Sequence, residues 1–283
     1  MSERVAVLIT HSHPPATSGA VELVLAAAGE ADWRLLATAE EAAKHGDSAA
    51  GLETVDALPH QADLCIVLGG DGSILYGLRH FAGDGVPVFG VNFGTVGFLA
   101  AVERDEAREG LHQAFAGEIE TIDLPGLEVA AHGEPRVALN DVSFLRRPHD
   151  RVAELSYRIA GEEVGHVRCD GLVAATPAGS TGYNLANQGP ILAWGVEGYV
   201  VSYVAPHSLT ARALVVAPDD VLHVSNAGGR QAVDVAVDGE PIGELASGDE
   251  VAVRFAGAVG RLAQLPGTSF YQRIREKFGH LAV

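Results

Sequence analysis

Residues 68–74 read LGGDGSI and stand directly behind the apolar run DLCIVL of residues 63–68. A tight turn needs one glycine or two, and a simple phosphate cradle gains nothing from a negative side chain in its middle. DLCIVL is continuous and apolar enough to be a parallel strand buried on both faces. The pattern after the glycines predicts a short helix over Ser73–Phe81. Strand, glycine loop and helix in that order place the loop at the carboxyl end of a sheet, where open α/β folds bind ligands. Gly69, Gly70 and Gly72 then let the backbone approach closely and point N–H groups at an anion, and the helix starting near Ser73, the last residue of the phosphate loop, adds the positive end of its dipole. Asp71 would project toward the same place. There it either holds a divalent metal or orients, and takes a proton from, a hydroxyl attacking a phosphoryl group. The purely structural alternative is an aspartate capping the helix.

Working outward, RVAVLI (Arg4–Ile9), WRLLAT and PVFGVN read as further strands of a parallel sheet. Helical stretches lie between them: GAVELVLAAAG, capped by Ser18 and ending at Gly29, and Arg104–Ala116. From Leu124 the texture changes to alternating runs such as RVALNDVSFL, ELSYRIAG, VLHVSN and AVDVAVDG, which predict antiparallel β structure. The end, SFYQRIREKFG, carries Phe270, Ile274 and Phe278 at helical spacing. The expected organisation is an α/β N-terminal domain over 1–123 with a parallel sheet. A β-rich, sandwich-like domain follows over 124–266, and a C-terminal helix over 267–283 returns to the first domain.

A formal charge of −18, with Lys44 and Lys277 the only lysines in 283 residues, excludes non-specific binding of nucleic acid or anionic membrane. An anionic substrate must therefore be held by N–H groups, a few arginines or a metal ion. The N-terminus MSERVAVLIT lacks the basic start and cleavage site of a signal peptide, and no apolar run approaches a membrane-spanning length. The expectation is a cytoplasmic protein. Cys65 reads as a buried thiol, and Cys169, beside Asp170 in a glycine-bounded turn, as an open one. The HxH pair His11 and His13 lacks a third ligand and reads as a solvated loop.

No GxxxxGK[ST], GxGxxG, HExxH or GxSxG occurs, which argues against a Walker-type nucleotidase and a standard Rossmann dehydrogenase. Three further blocks accompany LGGDGSI: VFGVNFGTVGFLA (Val88–Ala100), LNDVSF (Leu139–Phe144) and CDGLVAATPAGSTGYNLANQGPIL (Cys169–Leu192). In this order and spacing the four blocks resemble the NAD kinases, which phosphorylate the 2′-hydroxyl of NAD's adenosine ribose. The likeness continues more weakly through APHSLTARALVV and AVDGEP to the C-terminal helix.

The resemblance implies that Asp71 is the proton acceptor, with Gly72 beside the dinucleotide. It also implies that Phe98 packs against the adenine, the alternative being a plain core residue, and that Asn140 and Asp141 meet ribose hydroxyls. Asp170 would meet the nicotinamide end, often from a neighbouring subunit. Thr181, Gly182, Tyr183, Asn184, Leu185 and Ala186 would surround the adenine, and Arg151 and Arg168 stand where basic residues face the dinucleotide. His207, in the shared APHSL segment, is expected to make a structural hydrogen bond. The chain departs from the family at Gly182, Ala186, Tyr76 and Glu240, where alanine, serine, arginine and glutamine are common. Also implied are NAD and either ATP or polyphosphate as substrates, Mg²⁺ carried by the phosphoryl donor rather than by a protein cage, and a homodimer or homotetramer. Two other functions fit the GGDG loop alone, a lipid or small-alcohol kinase and a non-catalytic dinucleotide sensor. The LNDVSF and TPAGSTGY blocks speak against the first and Asp71 against the second.

Overall fold

The computed structural model describes residues 3–11, 17–131, 133–228 and 231–279. The chain forms two compact units, Met1–Asp123 with Gly260–Val283, and Leu124–Val259. His13 lies outside the described residues.

Unit 1 opens with β1 (Arg4–Thr10), α1 (Ser18–Glu30), β2 (Trp33–Thr38), α2 (Ala39–Ala43) and β3 (Glu53–Val55). It continues with β4 (Leu64–Gly69), α3 (Asp71–His80), β5 (Pro87–Asn92), β6 (Val102–Glu103) and α4 (Ala107–Ala116). β1 pairs in parallel with β2 and β4, β2 with β3, and β4 with β5. The order β3-β2-β1-β4-β5 reverses direction between β1 and β4, and the glycine loop follows β4 at that switch point. Every residue of β4 is buried, as the unbroken apolar run predicts, because helices cover both faces of such a sheet. Ser18, expected as a cap, is inside α1. The cap position is Thr17, whose carbonyl accepts from Ala20 and Val21.

The β-rich region contains β7 (Glu120–Val129), β8 (Arg136–Ala138), β9 (Asp141–Arg146), β10 (Ala153–Ile159), β11 (Glu162–Cys169) and β12 (Gly171–Ala175). After α5 (Tyr183–Ala186) come β13 (Tyr199–Val204), β14 (Leu214–Val216), β15 (Leu222–Gly228), β16 (Val233–Val237) and β17 (Glu240–Leu245). β18 (Glu250–Gln264) then runs on into unit 1, where Arg261–Ala263 pair in parallel with β5, and α6 (Phe270–Phe278) follows.

One antiparallel sheet of unit 2 has the order β14-β13-β12-β9-β16-β17. A second is built from β11, β10, β15 and the first half of β18. Phe144, Leu172, Tyr199 and Val235 of the first sheet share a core with Leu155, Tyr157 and Val224 of the second, which makes a sandwich. β12 is buried on both faces. Leu172 and Ala174 point into that core, whereas Val173 and Ala175 pack with Leu192 and Val200 under the 176–200 segment. Cys169, expected to be open, ends β11 fully buried, and burial pushes its thiol pKa up to about 12. The glycine after it belongs to the next strand of the core rather than to a surface turn.

Candidate active site

In unit 1, Gly70 caps α3 and its carbonyl accepts from the N–H groups of Ser73 and Ile74. The N–H groups of Asp71 and Gly72, in the first turn, have no acceptor within the helix. Asp71 does not cap α3 with its side chain. Its carboxylate reaches across to the segment after β5, where Oδ2 accepts from Phe98 N at 2.9 Å and Oδ1 from Leu99 N at 2.8 Å. Each oxygen retains a further lone pair for a ligand. The two loops also meet backbone to backbone: a Cβ on Gly94 would lie 2.9 Å from Gly70 Cα. Gly72 is different, because a Cβ there meets nothing within 4 Å.

A cavity of about 620 Å³ opens at the carboxyl ends of β1 and β4, lined among others by Thr10, His11, Gly70, Gly72, Ser73 and Tyr76. Tyr76 stands half-exposed at its edge. Glu41 closes the cavity's other side, accepting from Thr10 N at 2.9 Å and pairing with Lys44 at 2.9 Å. Phe98 is buried with its ring centroid 5.1 Å from that of Phe278, so in this structure it is a core residue of unit 1.

In unit 2 the sequence run RVALNDVSFL is two strands, β8 and β9, broken at Leu139–Asn140. The break has a physical cause that lies far away in the chain. The Asp238 carboxylate accepts from the N–H groups of Leu139 (3.0 Å), Asn140 (2.7 Å) and Asp141 (3.1 Å), which are thereby taken out of any strand ladder. On the other side, Asn140 O accepts from Thr176 N, and Thr176 Oγ1 bridges Leu139 O and Gly179 N. A Cβ on Gly179 would stand 2.0 Å from Asn140 O, so the LND and TPAGST segments fit only with glycine there.

Asp141 is buried at the start of β9. Burial first, and the nearby Asp238 charge second, push its pKa up to about 7. Tyr183, on α5, has its pKa raised by burial and then by the charges of Asp141 and Asp170, which places those three groups in one electrostatic neighbourhood. Asp170 is held below the ordinary carboxylate range by its hydrogen bond from Arg146 Nε, with His207 adding a smaller effect. His207 itself donates its backbone N–H to Arg168 O at 2.7 Å. Arg146 was not singled out in the sequence, where LNDVSFLRR gives it no pattern. Together with Arg151 and Arg168 it lines a cavity of about 650 Å³ that also contains Asp150 and Glu154.

The adenine segment divides into supports and surfaces. Asn184 is fully buried, its Nδ2 donating to Ser180 O and Pro190 O, and Thr181 Oγ1 donates to Ala178 O. Gly182 and Ala186 are exposed, and Thr181, Tyr183 and Leu185 are half-buried. The structure therefore brings Asp71, Gly72 and Ser73 together in unit 1. In unit 2 it brings together Asn140, Asp141, Asp170 and Tyr183.

The description "ATP-NAD kinase N-terminal domain" matches residues 21–119, and "ATP-NAD kinase C-terminal domain" matches residues 139–261. An NAD kinase of Rhodopirellula baltica is 36% identical over 231 residues, covering 80% of this chain and 74% of its own. One from Lachnoclostridium phytofermentans is 32% identical over 263 residues, covering 88% and 90%. Among solved structures, yeast NADH kinase complexed with NADH superimposes with a TM-score of 0.86 at 21% identity, covering 99% of this chain and 89% of its own. An Archaeoglobus fulgidus NAD kinase in complex with ATP gives 0.72 at 22%, covering 98% and 97%. At these identities the two structures bear on the fold alone.

The glycine geometry sets a stability contrast. Gly72→Ala adds a Cβ in open space inside a helix and should stabilise by about 0.5–1 kcal/mol. Gly94→Ala drives backbone onto backbone and should cost about 1–3 kcal/mol. Chemical denaturation of both variants decides, and a destabilised Gly72→Ala would refute the open loop face.

The Asp141 environment sets a pH dependence. Its folded pKa lies above its ordinary 3.8, so the folded state keeps a proton that the unfolded chain loses. Stability therefore falls as pH rises from about 4 to about 7 and then levels off. Asp141→Asn should remove roughly 2 kcal/mol of that fall between pH 5 and pH 8. Equal slopes in parent and variant would show that Asp141 ionises normally.

Proposed function

The chain belongs to the ATP-NAD kinase family, and from that premise we propose that it transfers the terminal phosphoryl group of ATP to the 2′-hydroxyl of NAD's adenosine ribose, giving NADP. The observation that carries the residue-level reading is the Asp71 carboxylate, fixed by two backbone N–H groups at the mouth of a glycine loop. Phosphoryl transfer asks a protein mainly to position reactants and compensate charge. Asp71 aligns the attacking 2′-hydroxyl and accepts its proton; the ribose oxygen bonds to the terminal phosphorus as the bond from that phosphorus to ADP breaks, and ADP leaves.

The first-turn N–H groups of Asp71 and Gly72, with the Ser73 side chain, meet the donor's phosphates. Gly72 fits this role because its missing Cβ leaves that face open, although alanine would suit the helix better. Asn140 and Asp141 take the ribose hydroxyls. At neutral pH Asp141, with its pKa near 7, both donates and accepts. Tyr183 with Thr181–Ala186 forms the adenine surface, supported by the buried Asn184. Asp170, aimed by Arg146, meets the nicotinamide end, and Arg151 and Arg168 compensate the dinucleotide's phosphates.

Among the described residues no cluster of three His, Cys, Asp or Glu is arranged to hold a metal ion. In this reading the divalent cation, Mg²⁺, would come bound to the donor's phosphates and would supply charge neutralisation there. We further infer a homodimer or homotetramer in the cytoplasm. Among the described residues, no helix is long and apolar enough to cross a membrane.

The test is an endpoint assay of purified protein with Mg²⁺, ATP and NAD, reading NADP through an NADP-specific dehydrogenase. NADP should form with ATP and not without a donor. Formation with polyphosphate alone would reassign the donor, and no NADP with any donor, despite NAD binding, would favour a sensor.

A further inference from the structure

The reading of Asp71 leaves one question, namely what holds the N–H groups that hold it. Phe98 and Leu99 lie on a strap, residues 97–100, that is gripped from its other side. Arg273, on α6, donates from Nη1 to Gly97 O at 3.2 Å and to Ala100 O. Its Nη2 donates to Gln264 Oε1 at 2.6 Å, and Gln264 Nε2 in turn donates to Leu99 O at 3.1 Å. Three carbonyls of the strap are thus fixed by one guanidinium and one carboxamide, while two of its N–H groups face Asp71. All of these groups belong to unit 1.

Arg273 is 7% exposed and Gln264 1%. Burying a guanidinium costs free energy that an apolar side chain on α6 would not, and an ion held this way adds little stability compared with good apolar packing. Its lowered pKa reflects that burial, and among the charges opposing the effect is Asp71. A helix that merely packed would need Leu or Met at this position. A planar fork with several donors is what fixes successive carbonyls in register.

We propose that Arg273, with Gln264, is a positioning residue of the phosphoryl transfer: it sets the strap whose N–H groups aim the Asp71 carboxylate. This rests on the reading of Asp71 above. α6 thereby controls the orientation of the Asp71 carboxylate through the strap.

A double-mutant cycle tests it. Turnover at saturating Mg²⁺, ATP and NAD is measured for the parent, Arg273→Lys, Asp71→Asn and the double variant, with NAD affinity from calorimetry. Arg273→Lys keeps the charge and loses the fork. It should lower kcat by about 10–100-fold, as small misplacements of a reacting group do, with NAD affinity little changed. In the Asp71→Asn background the same substitution should cost nothing further, because the group it aims is gone. Gln264→Met, near-isosteric, should show a smaller loss with the same coupling, and it supplies the test if Arg273→Lys does not fold.

Losses that multiply in the double variant, or a loss of NAD affinity in place of kcat, overturn the proposal and leave Asp71's role standing. If Asp71→Asn itself turns over within a few-fold of the parent, the Asp71 reading fails and the proposal falls with it.

Discussion

Two hydrogen bonds, from Phe98 N and Leu99 N to the Asp71 carboxylate, are the interaction on which the rest of unit 1 depends. They tie the loop after β4 to the loop after β5, so that the carboxylate at the start of α3 has one orientation rather than several rotamers. The close approach of Gly70 and Gly94 makes that bond possible, since a side chain on either would push the loops apart. A parallel sheet with β4 and β5 as neighbours brings the two loops side by side. The glycines of LGGDGSI thus differ: Gly70 lets backbone meet backbone, and Gly72 leaves its face of the loop open.

Unit 2 uses the same chemistry with the roles exchanged. There the carboxylate that collects peptide N–H groups, Asp238, is the support. What it supports is the bend that presents Asn140 and Asp141. The Thr176 hydroxyl and the bare Cα of Gly179 hold the other side of that bend. Burial first, and the nearby Asp238 charge second, make Asp141 the group whose pKa is pushed up to about 7.

The sequence made local features legible and left distant partnerships hidden. DLCIVL as a doubly buried strand, a helix directly after the glycines (it begins at Asp71, two residues before the expected Ser73) and the period-two burial of Val233, Val235 and Val237 follow from neighbours in the chain. The break at Leu139–Asn140 does not, because its cause is an aspartate nearly a hundred residues later. Nor does the grip of Arg273 on the strap, since EKFGH and YQRIRE read as an ordinary charged helix end. Cys169 was misjudged because Gly171 looked like a turn and is a strand residue packed against the backbone of Phe144. Asp71, Asn140 and Asp141 could be singled out as candidates because several short blocks occur in one order. Arg146, carried by no block, had to be seen in contact with Asp170.

The most direct measurement of the central claim is the split between binding and turnover in Asp71→Asn. NAD affinity would be taken from calorimetry and NADP formation from single turnovers at saturating NAD. A carboxylate held by its own backbone to receive a hydroxyl proton predicts affinity within a few-fold of the parent and a rate lower by about 10²–10⁴-fold. A rate near that of the parent, or affinity lost in step with the rate, would contradict it.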